Sequence, residues 1–186
     1  MLKTKIAVFV SGGGTNFEAL INAQENGKIP HGEIVLMVSS SKTAYALKRA
    51  ENHGIKSVVC SKKELGSQES FEEEILKNLE ENDIQLIVLA GFMSILSKEF
   101  TKKYENRIIN IHPSLIPSFC GEGFYGLHVH EAALKKGVKV TGATVHIVNE
   151  IPDGGPIIMQ RAVYVEENDT PEILQKRVME QAEWKI

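Results

Sequence analysis

Short apolar runs alternate with amphipathic stretches along this chain, and that alternation constrains the fold more than any other feature. Ile6-Ala7-Val8-Phe9-Val10, Ile34-Val35-Leu36-Met37-Val38, Ser57-Val58-Val59, Leu86-Ile87-Val88-Leu89 and residues 108–111 read as five strands. Continuous apolar runs, without a polar residue at every second place, belong to strands buried on both faces of a parallel sheet. Helical patterns separate them. One starts at Asn16-Phe17-Glu18, one covers residues 44–53 and closes at Gly54, and an acidic one places Phe71, Ile75 and Leu79 four residues apart. Strands alternating with helices of this length indicate a parallel sheet with helices on both faces.

After Pro113 the pattern changes. Residues 113–127 are rich in Pro, Ser, Gly and aromatics and read as a loop, and a loop this long in a compact domain is more often functional than accidental. A helix is expected from about His130 to Lys136. Residues 138–148 and 156–165 are β-rich runs joined by residues 149–155, an antiparallel pair at the sheet edge. Thr170-Pro171-Glu172 supplies an N-cap and then proline at the first helical position. The helix it starts runs to Trp184-Lys185-Ile186 with neither Gly nor Pro to end it. The expected fold is α/β: a mostly parallel, Rossmann-like open sheet flanked by helices, with an antiparallel strand pair near the C-terminus. Residues 1–186 form a single domain in this reading, with the C-terminal helix cut short or a tail missing.

A chain of 186 residues can bury one real core. A net charge of −3 offers no broad basic surface for nucleic acid. Cys60 and Cys120 form no CxxC pair and no disulfide framework, which fits a reducing compartment. Met1-Leu2-Lys3-Thr4-Lys5 leads straight into the first strand without a secretory apolar region, and no apolar run reaches membrane-spanning length. A cytoplasmic location is expected.

Ser11-Gly12-Gly13-Gly14-Thr15-Asn16 lies between the first strand and the first helix, where backbone N–H groups and the helix dipole favour an anion. A dinucleotide fingerprint would need a third glycine where Phe17 stands and an acidic residue where Ser39-Ser40-Ser41 stands. A P-loop would need Gly-Lys-Ser/Thr after four spacers, which does not follow. What remains is a compact nest with Thr15 and Asn16 as extra donors or helix caps, best suited to a monophosphate. A tight turn with Asn16 as N-cap is the plainer alternative, but three glycines exceed what a turn requires.

Asn110-Ile111-His112-Pro113-Ser114 is the second candidate. Residues two apart on a strand share a face, and Pro113 cannot continue a central strand. Asn110 and His112 therefore project together from a strand end, where open α/β sheets keep their ligand crevices. An amide donor beside a titratable ring can stabilise an oxyanion and move protons; polar capping of a turn is the alternative. Asp153-Gly154-Gly155-Pro156 is a turn by itself. Its carboxylate matters if the fold brings it to His112, where it would favour the imidazolium and orient the ring. Thr144 and His146 share one face of the preceding strand. His128-x-His130 suggests a metal, with His112, His146 and Asp153 as further ligands. The pair reads as lying in a loop, however, with no thiolate or Glu-rich helix beside it, and no metal is expected. Cys120 has no evident activating partner and reads as a bystander. Ala90-Gly91-Phe92-Met93-Ser94-Ile95-Leu96 follows the fourth strand. Its glycine permits close backbone approach, and its apolar side chains suit either a slot for a flat aromatic ligand or the core.

Taken together, these segments resemble the folate-dependent formyltransferase family and, within it, the phosphoribosylglycinamide formyltransferases of purine (IMP) synthesis. The likeness is carried by residues 11–16, 89–96, 110–117, 126–131, 142–146 and 153–156. The block at 110–115 is shared across the wider family, whereas the glycine loop belongs to members whose acceptor carries a phosphate. The resemblance implies that Gly14, Thr15 and Asn16 hold the phosphate of glycinamide ribonucleotide and that Glu183 meets its ribose. It implies a folate pocket lined by Met93, Ser94, Ile95 and Leu96 together with Asn110, Asn149, Glu150, Ile151, Pro152 and Asp153. Asn110, His112 and Asp153 are the implied catalytic trio. The implied co-substrate is 10-formyltetrahydrofolate, without a metal. The implied partners are glycinamide ribonucleotide and a reduced folate, with no nucleic acid or membrane, and a monomer or homodimer is expected.

Three features depart from the family pattern. Ser94 stands where many relatives carry Arg, the loop Cys120-Gly121-Glu122-Gly123-Phe124-Tyr125 looks longer than the common form, and the chain ends soon after Glu183. The implied chemistry moves a formyl group from N10 of the folate to a primary amine. Asn110 and protonated His112 would stabilise the oxyanion, and Asp153 would hold the imidazolium and a proton-relaying water. Two rivals share some of these residues. A formyltetrahydrofolate hydrolase would use the trio without needing the phosphate loop. A non-catalytic phosphosugar-binding module would need the loop without the trio.

Overall fold

The computed structural model describes residues 2–186; Met1, first residue of the expected leaderless start, lies outside them. Two compact units make up the chain, one reaching Ile108 and the other running from Ile109 to Ile186.

The first unit holds four parallel strands, β1 (Thr4–Val10), β2 (Gly32–Ser39), β3 (Lys56–Val59) and β4 (Leu86–Leu89), in the order β3-β2-β1-β4. Its helices are α1 (Thr15–Glu25), α2 (Ala46–Asn52), α3 (Lys62–Leu65), α4 (Gln68–Glu81) and α5 (Lys98–Lys103). Ala7, Val8 and Phe9 on the central strand are fully buried, as their continuous apolar run requires. Val8, Val10, Phe17, Ile21, Met37 and Ala50 belong to one core cluster. Burying each large side chain there contributes roughly 1.5–3 kcal/mol. Phe71, Ile75 and Leu79 are all buried on α4, whose start is capped by Ser67 accepting the Ser70 N–H at 3.0 Å. Strand order turns back at β1, with β2 on one side and β4 on the other. The loops after β1 and β4 thus open at a topological switch point, the usual place for a ligand crevice. Helices α3 and α5, four and six residues long, have no counterpart in the sequence reading, because so few residues cannot display a helical period.

The second unit contains β5 (Ile108–His112) from Ile109 onward, α6 (Leu127–Lys136), β6 (Val140–Ile147), β7 (Ile157–Tyr164), α7 (Pro171–Gln181) and a 3₁₀ turn at Glu183–Lys185. The expected antiparallel pair is β6 with β7, but the reversal arrives one strand earlier, since β5 also runs antiparallel to β6. Helix α6 starts three residues before the expected position, after Gly126 at φ 52°. Thr170 caps α7 by accepting the Ile173 N–H at 3.3 Å, with proline next, as the sequence indicates. The α-helix ends at Gln181, short of Trp184, and Lys185 N–H to Ala182 O at 3.0 Å tightens the chain into the 3₁₀ turn. Ala133, Ala143, Val163, Leu174, Val178 and Ala182 form this unit's core, with Ile111 and Phe119 packed against it. The fold is α/β, with parallel strands and helices in the first unit and antiparallel strands in the second. No helix among the described residues is long and apolar enough to cross a membrane.

Candidate active site

Strand β5 carries Asn110 and His112, and its pairing with β6 sets Asn110 opposite His146 and His112 opposite Thr144. Directly opposed residues of an antiparallel pair lie close enough for their side chains to meet. The β6–β7 connection then delivers a carboxylate to this cluster. Asn149 Oδ1 accepts the Ile151 N–H at 2.9 Å, and the Gly154 N–H donates to Ile151 O at 2.9 Å. Gly155 is required here, because a Cβ would sit 1.8 Å from the Ile147 carbonyl oxygen. Asp153 occupies the turn at φ 54°, a left-handed conformation that aspartate adopts more readily than most residues.

The carboxylate of Asp153 is the hub. Its Oδ1 accepts Asn110 Nδ2 at 3.4 Å and lies 3.5 Å from His146 Nε2. Its Oδ2 accepts the Gly121 N–H at 2.9 Å and lies 3.4 Å from His112 Nδ1. His146 Nδ1 donates to Ile147 O at 2.8 Å, and its Nε2 lies 3.1 Å from Asn110 Nδ2. His112 is 4% exposed, and its Nε2 donates to Phe119 O at 2.8 Å. Each nitrogen of the His112 ring thus faces an oxygen. Phe119 itself sits at φ 49°, a strained backbone for a bulky residue. Thr144 fastens the loop after β5, donating to Ser114 O at 2.7 Å and accepting the Ile116 N–H at 3.0 Å.

Burial alone would push the Asp153 carboxyl up. The His146 hydrogen bond, the Gly121 N–H and the charges of His112 and His146 outweigh it and hold the group below the usual carboxylate range. Asp153 is therefore ionised at neutral pH, a fixed negative charge beside an imidazole and an amide. Cys120 is pushed the other way by burial and by Asp153, and its Sγ donates to Pro117 O at 3.4 Å. A protonated thiol is a poor nucleophile, in keeping with a bystander.

The structure corrects the placement of His128 and His130. Both lie on α6 rather than in a loop, and residues two apart on a helix do not face each other. His128 Nδ1 meets Glu131 at 3.0 Å on the surface, whereas His130 is fully buried, with no protein partner for either ring nitrogen. Burial and then the His112 charge push His130 down to about 4, so it is neutral near pH 7. No group of three or more His, Cys, Asp or Glu is placed to hold a metal ion among the described residues.

In the first unit the glycine loop follows β1. Gly14, at φ 72°, is the N-cap of α1, which places Asn16 one residue inside the helix instead of at its cap. A Cβ on Gly14 would lie 2.8 Å from Ala46 Cβ, while Cβ atoms on Gly12 and Gly13 would meet nothing within 4 Å. Only Gly14 is therefore demanded by the fold; the other two keep space open. Ser11 joins this loop to the one after β4. Its N–H donates to Gly91 O at 3.0 Å, and its Oγ accepts the Met93 N–H at 2.7 Å and the Ser40 hydroxyl at 2.6 Å. Met93 and Ile95 expose apolar side chains there, while Leu96 is buried and Ser94 is half-buried.

The first unit thus brings the loop holding Gly14, Thr15 and Asn16 next to that holding Met93, Ser94, Ile95 and Leu96. The second brings Asn110, His112 and Asp153 together, with Asn149, Glu150, Ile151 and Pro152 leading into the Asp153 turn. Glu183 opens the 3₁₀ turn and is half-buried. His146 and the Gly121 N–H are missing from the site residues expected from sequence. The shared face of Thr144 and His146 was the available signal for the first; nothing local marks the second.

A family model described as "Formyl transferase" matches residues 4–186. The chain is 48% identical over 178 residues to the "Trifunctional purine biosynthetic protein adenosine-3" of Gallus gallus, covering 96% of this chain and 17% of that protein. It spans 13% of the protein of that name from Drosophila melanogaster, so it matches a small part of these longer relatives. It is 39% identical over 176 residues to the "Phosphoribosylglycinamide formyltransferase" of Bacillus subtilis (strain 168), covering 94% of this chain and 86% of that one. A solved structure of the phosphoribosylglycinamide formyltransferase of Coxiella burnetii, in complex with CHES, superposes with a TM-score of 0.90 at 40% identity, covering 99% of this chain and 83% of that one.

Proposed function

The chain belongs to the formyl transferase family, and from that premise we propose that it transfers the formyl group of 10-formyltetrahydrofolate to the amine of glycinamide ribonucleotide in purine synthesis. The observation that carries this reading is the convergence of Asn110, His112 and His146 on the Asp153 carboxylate. In the reaction the unprotonated amine attacks the formyl carbon, forming a C–N bond and an oxyanion. Collapse then breaks the bond to N10 of the folate, which leaves with a proton, so that tetrahydrofolate and the formylated acceptor result. Asn110 and His112 are the groups suited to the oxyanion, and His112 to the leaving nitrogen, while Asp153 fixes the ring. An oxyanion donor is worth roughly 10²–10³-fold in rate and acid–base help roughly 10²–10⁴-fold. Holding two substrates in register supplies the rest. The reading requires the Phe119 carbonyl to give up His112 Nε2 as substrate arrives.

Gly14, Thr15 and Asn16 are assigned to the acceptor phosphate, because a glycine nest opening a helix at a switch point suits one. Glu183 is assigned to the ribose. Met93, Ser94, Ile95 and Leu96, with residues 149–153 and Asn110, are assigned to the folate, since exposed Met93 and Ile95 offer apolar surface to a flat ring. Residues 1–186 act as one formyltransferase domain in the cytoplasm in this reading, as a monomer or homodimer.

The test is folate absorbance during turnover. Product folate accumulates only when glycinamide ribonucleotide is present, and His112→Ala or Asn110→Ala lowers kcat by roughly 10²-fold or more. Formate release at full rate without any acceptor would replace this reading with a hydrolase.

A further inference from the structure

Three features compete for an explanation beyond the site itself: the partnerless His130 ring, the exposed edge of β7, and a charged cluster where α2 meets the glycine loop. The last reaches furthest. The Ala46 N–H donates to Gly12 O at 3.2 Å, and Arg49 Nε donates to Gly13 O at 2.9 Å. Two successive carbonyls of the loop are thus turned onto α2. Arg49 also pairs through Nη1 with Glu18 at 3.0 Å, in the first turn of α1, and its guanidinium lies 5.1 Å from the centre of the Tyr45 ring. Its side chain is 24% exposed, so these contacts are partly shielded from solvent.

We propose that Arg49 is a positioning residue for the anion loop, holding the Gly13 carbonyl on α2 and neutralising Glu18 beside the phosphate. This rests on reading residues 14–16 as the phosphate site. A carbonyl carries a partial negative charge, so one swinging toward the ligand would repel a phosphate. A carboxylate in the first turn of α1 would compete for the same helix dipole. Arg49 removes both repulsions with one planar group. His53 Nε2, 3.2 Å from Glu18, supports the second task. Burial raises the Glu18 carboxyl, but its bonds to Arg49 and His53 prevail and keep it low. The carboxylate is therefore charged and needs its partner. Lysine cannot replace the fork, because one ammonium on a flexible stem cannot hold both bonds in this geometry.

The experiment measures steady-state kinetics for both substrates, with inorganic phosphate as a competitor of the acceptor, in the parent, Arg49→Ala and Arg49→Lys. In Arg49→Ala the acceptor KM and the phosphate inhibition constant rise together by about tenfold, since about 1.4 kcal/mol of a charge-assisted bond is lost. The folate KM stays within about twofold, kcat falls less than about threefold, and Arg49→Lys recovers only part of the loss. Loss of fold alone would lower kcat and active fraction without this split. If phosphate competes with the acceptor in the parent and both constants are unchanged in the variants, the Arg49 proposal is wrong while the phosphate loop stands. If phosphate does not compete in the parent, the loop assignment falls and Arg49 with it. Should Arg49→Ala not fold, Arg49→Lys carries the same criteria.

Discussion

Replacing Gly14 by alanine tests whether the glycine loop is shaped by the fold or by a ligand, with Gly13→Ala as its internal control. Gly14 sits at φ 72° and its missing Cβ would lie 2.8 Å from Ala46 Cβ and 3.1 Å from Ala46 Cα. The left-handed backbone costs an alanine about 1–2 kcal/mol. Forcing a methyl group against the backbone of α2 adds about 1–3 kcal/mol of overpacking. Together these give about 2–5 kcal/mol, and in a chain of this size a melting-temperature loss of roughly 4–20 °C. At Gly13 the Cβ meets nothing within 4 Å and φ is not positive. Alanine there should be neutral, or stabilising by up to about 1 kcal/mol through the unfolded chain. Its acceptor KM should nevertheless rise, because the methyl group occupies space left for the anion. Thermal unfolding of both variants, alongside acceptor KM, separates the effects. A Gly14→Ala protein melting within about 2 °C of the parent would refute the steric argument. A Gly13→Ala protein with parental acceptor KM would refute the view that the extra glycines serve a ligand.

Asp153→Asn preserves shape and tolerates the left-handed turn, so it should fold normally yet lose roughly 10²–10³-fold in kcat, because the charge facing His112 is gone. Parental kcat would remove Asp153 from the site. The same variant has a stability signature. The folded-state carboxyl is held low, so its contribution is fully present above the unfolded value of about 3.9 and disappears as pH falls through the lower folded one. Urea midpoints below about pH 4 should therefore fall less steeply in Asp153→Asn than in the parent. His130 acts over a different window. Its folded value of about 4 lies below the unfolded value of about 6.5, so the unfolded chain binds the extra proton. Stability should decline by about 3 kcal/mol between pH 6.5 and 4, and His130→Leu should flatten that slope. An unchanged slope would mean that His130 is not buried as a neutral ring.

The strand runs and helical stretches of the first unit were legible because both of their periods are local. Phe71, Ile75 and Leu79 announce a buried helix face, and residues 6–10 announce a strand covered on both sides. The same holds for Asn110 and His112, whose spacing of two puts them on one face before any tertiary contact is known. Thr170 and Pro171 spell out a helix start in adjacent residues. What the residue patterns alone left open depends on groups distant in the chain. Asp153 lies 41 positions after His112, and only the β6–β7 turn, forced by Gly155, brings its carboxylate to the ring. His146 enters the cluster because β5 runs antiparallel to β6, a register that no single-strand pattern encodes. Gly14, rather than Asn16, caps α1 because Ala46 and Arg49 of α2 close over the loop from 32 and 35 residues further on. The two histidines of His128-x-His130 parted because their helix begins earlier than its residue pattern suggests, turning one ring to solvent and the other into the core. Residue types and their spacing determined which chemistry was available. The pairing of remote backbone segments decided which of those groups meet, since hydrogen-bond and charge geometry is set by tertiary distance and not by separation along the chain.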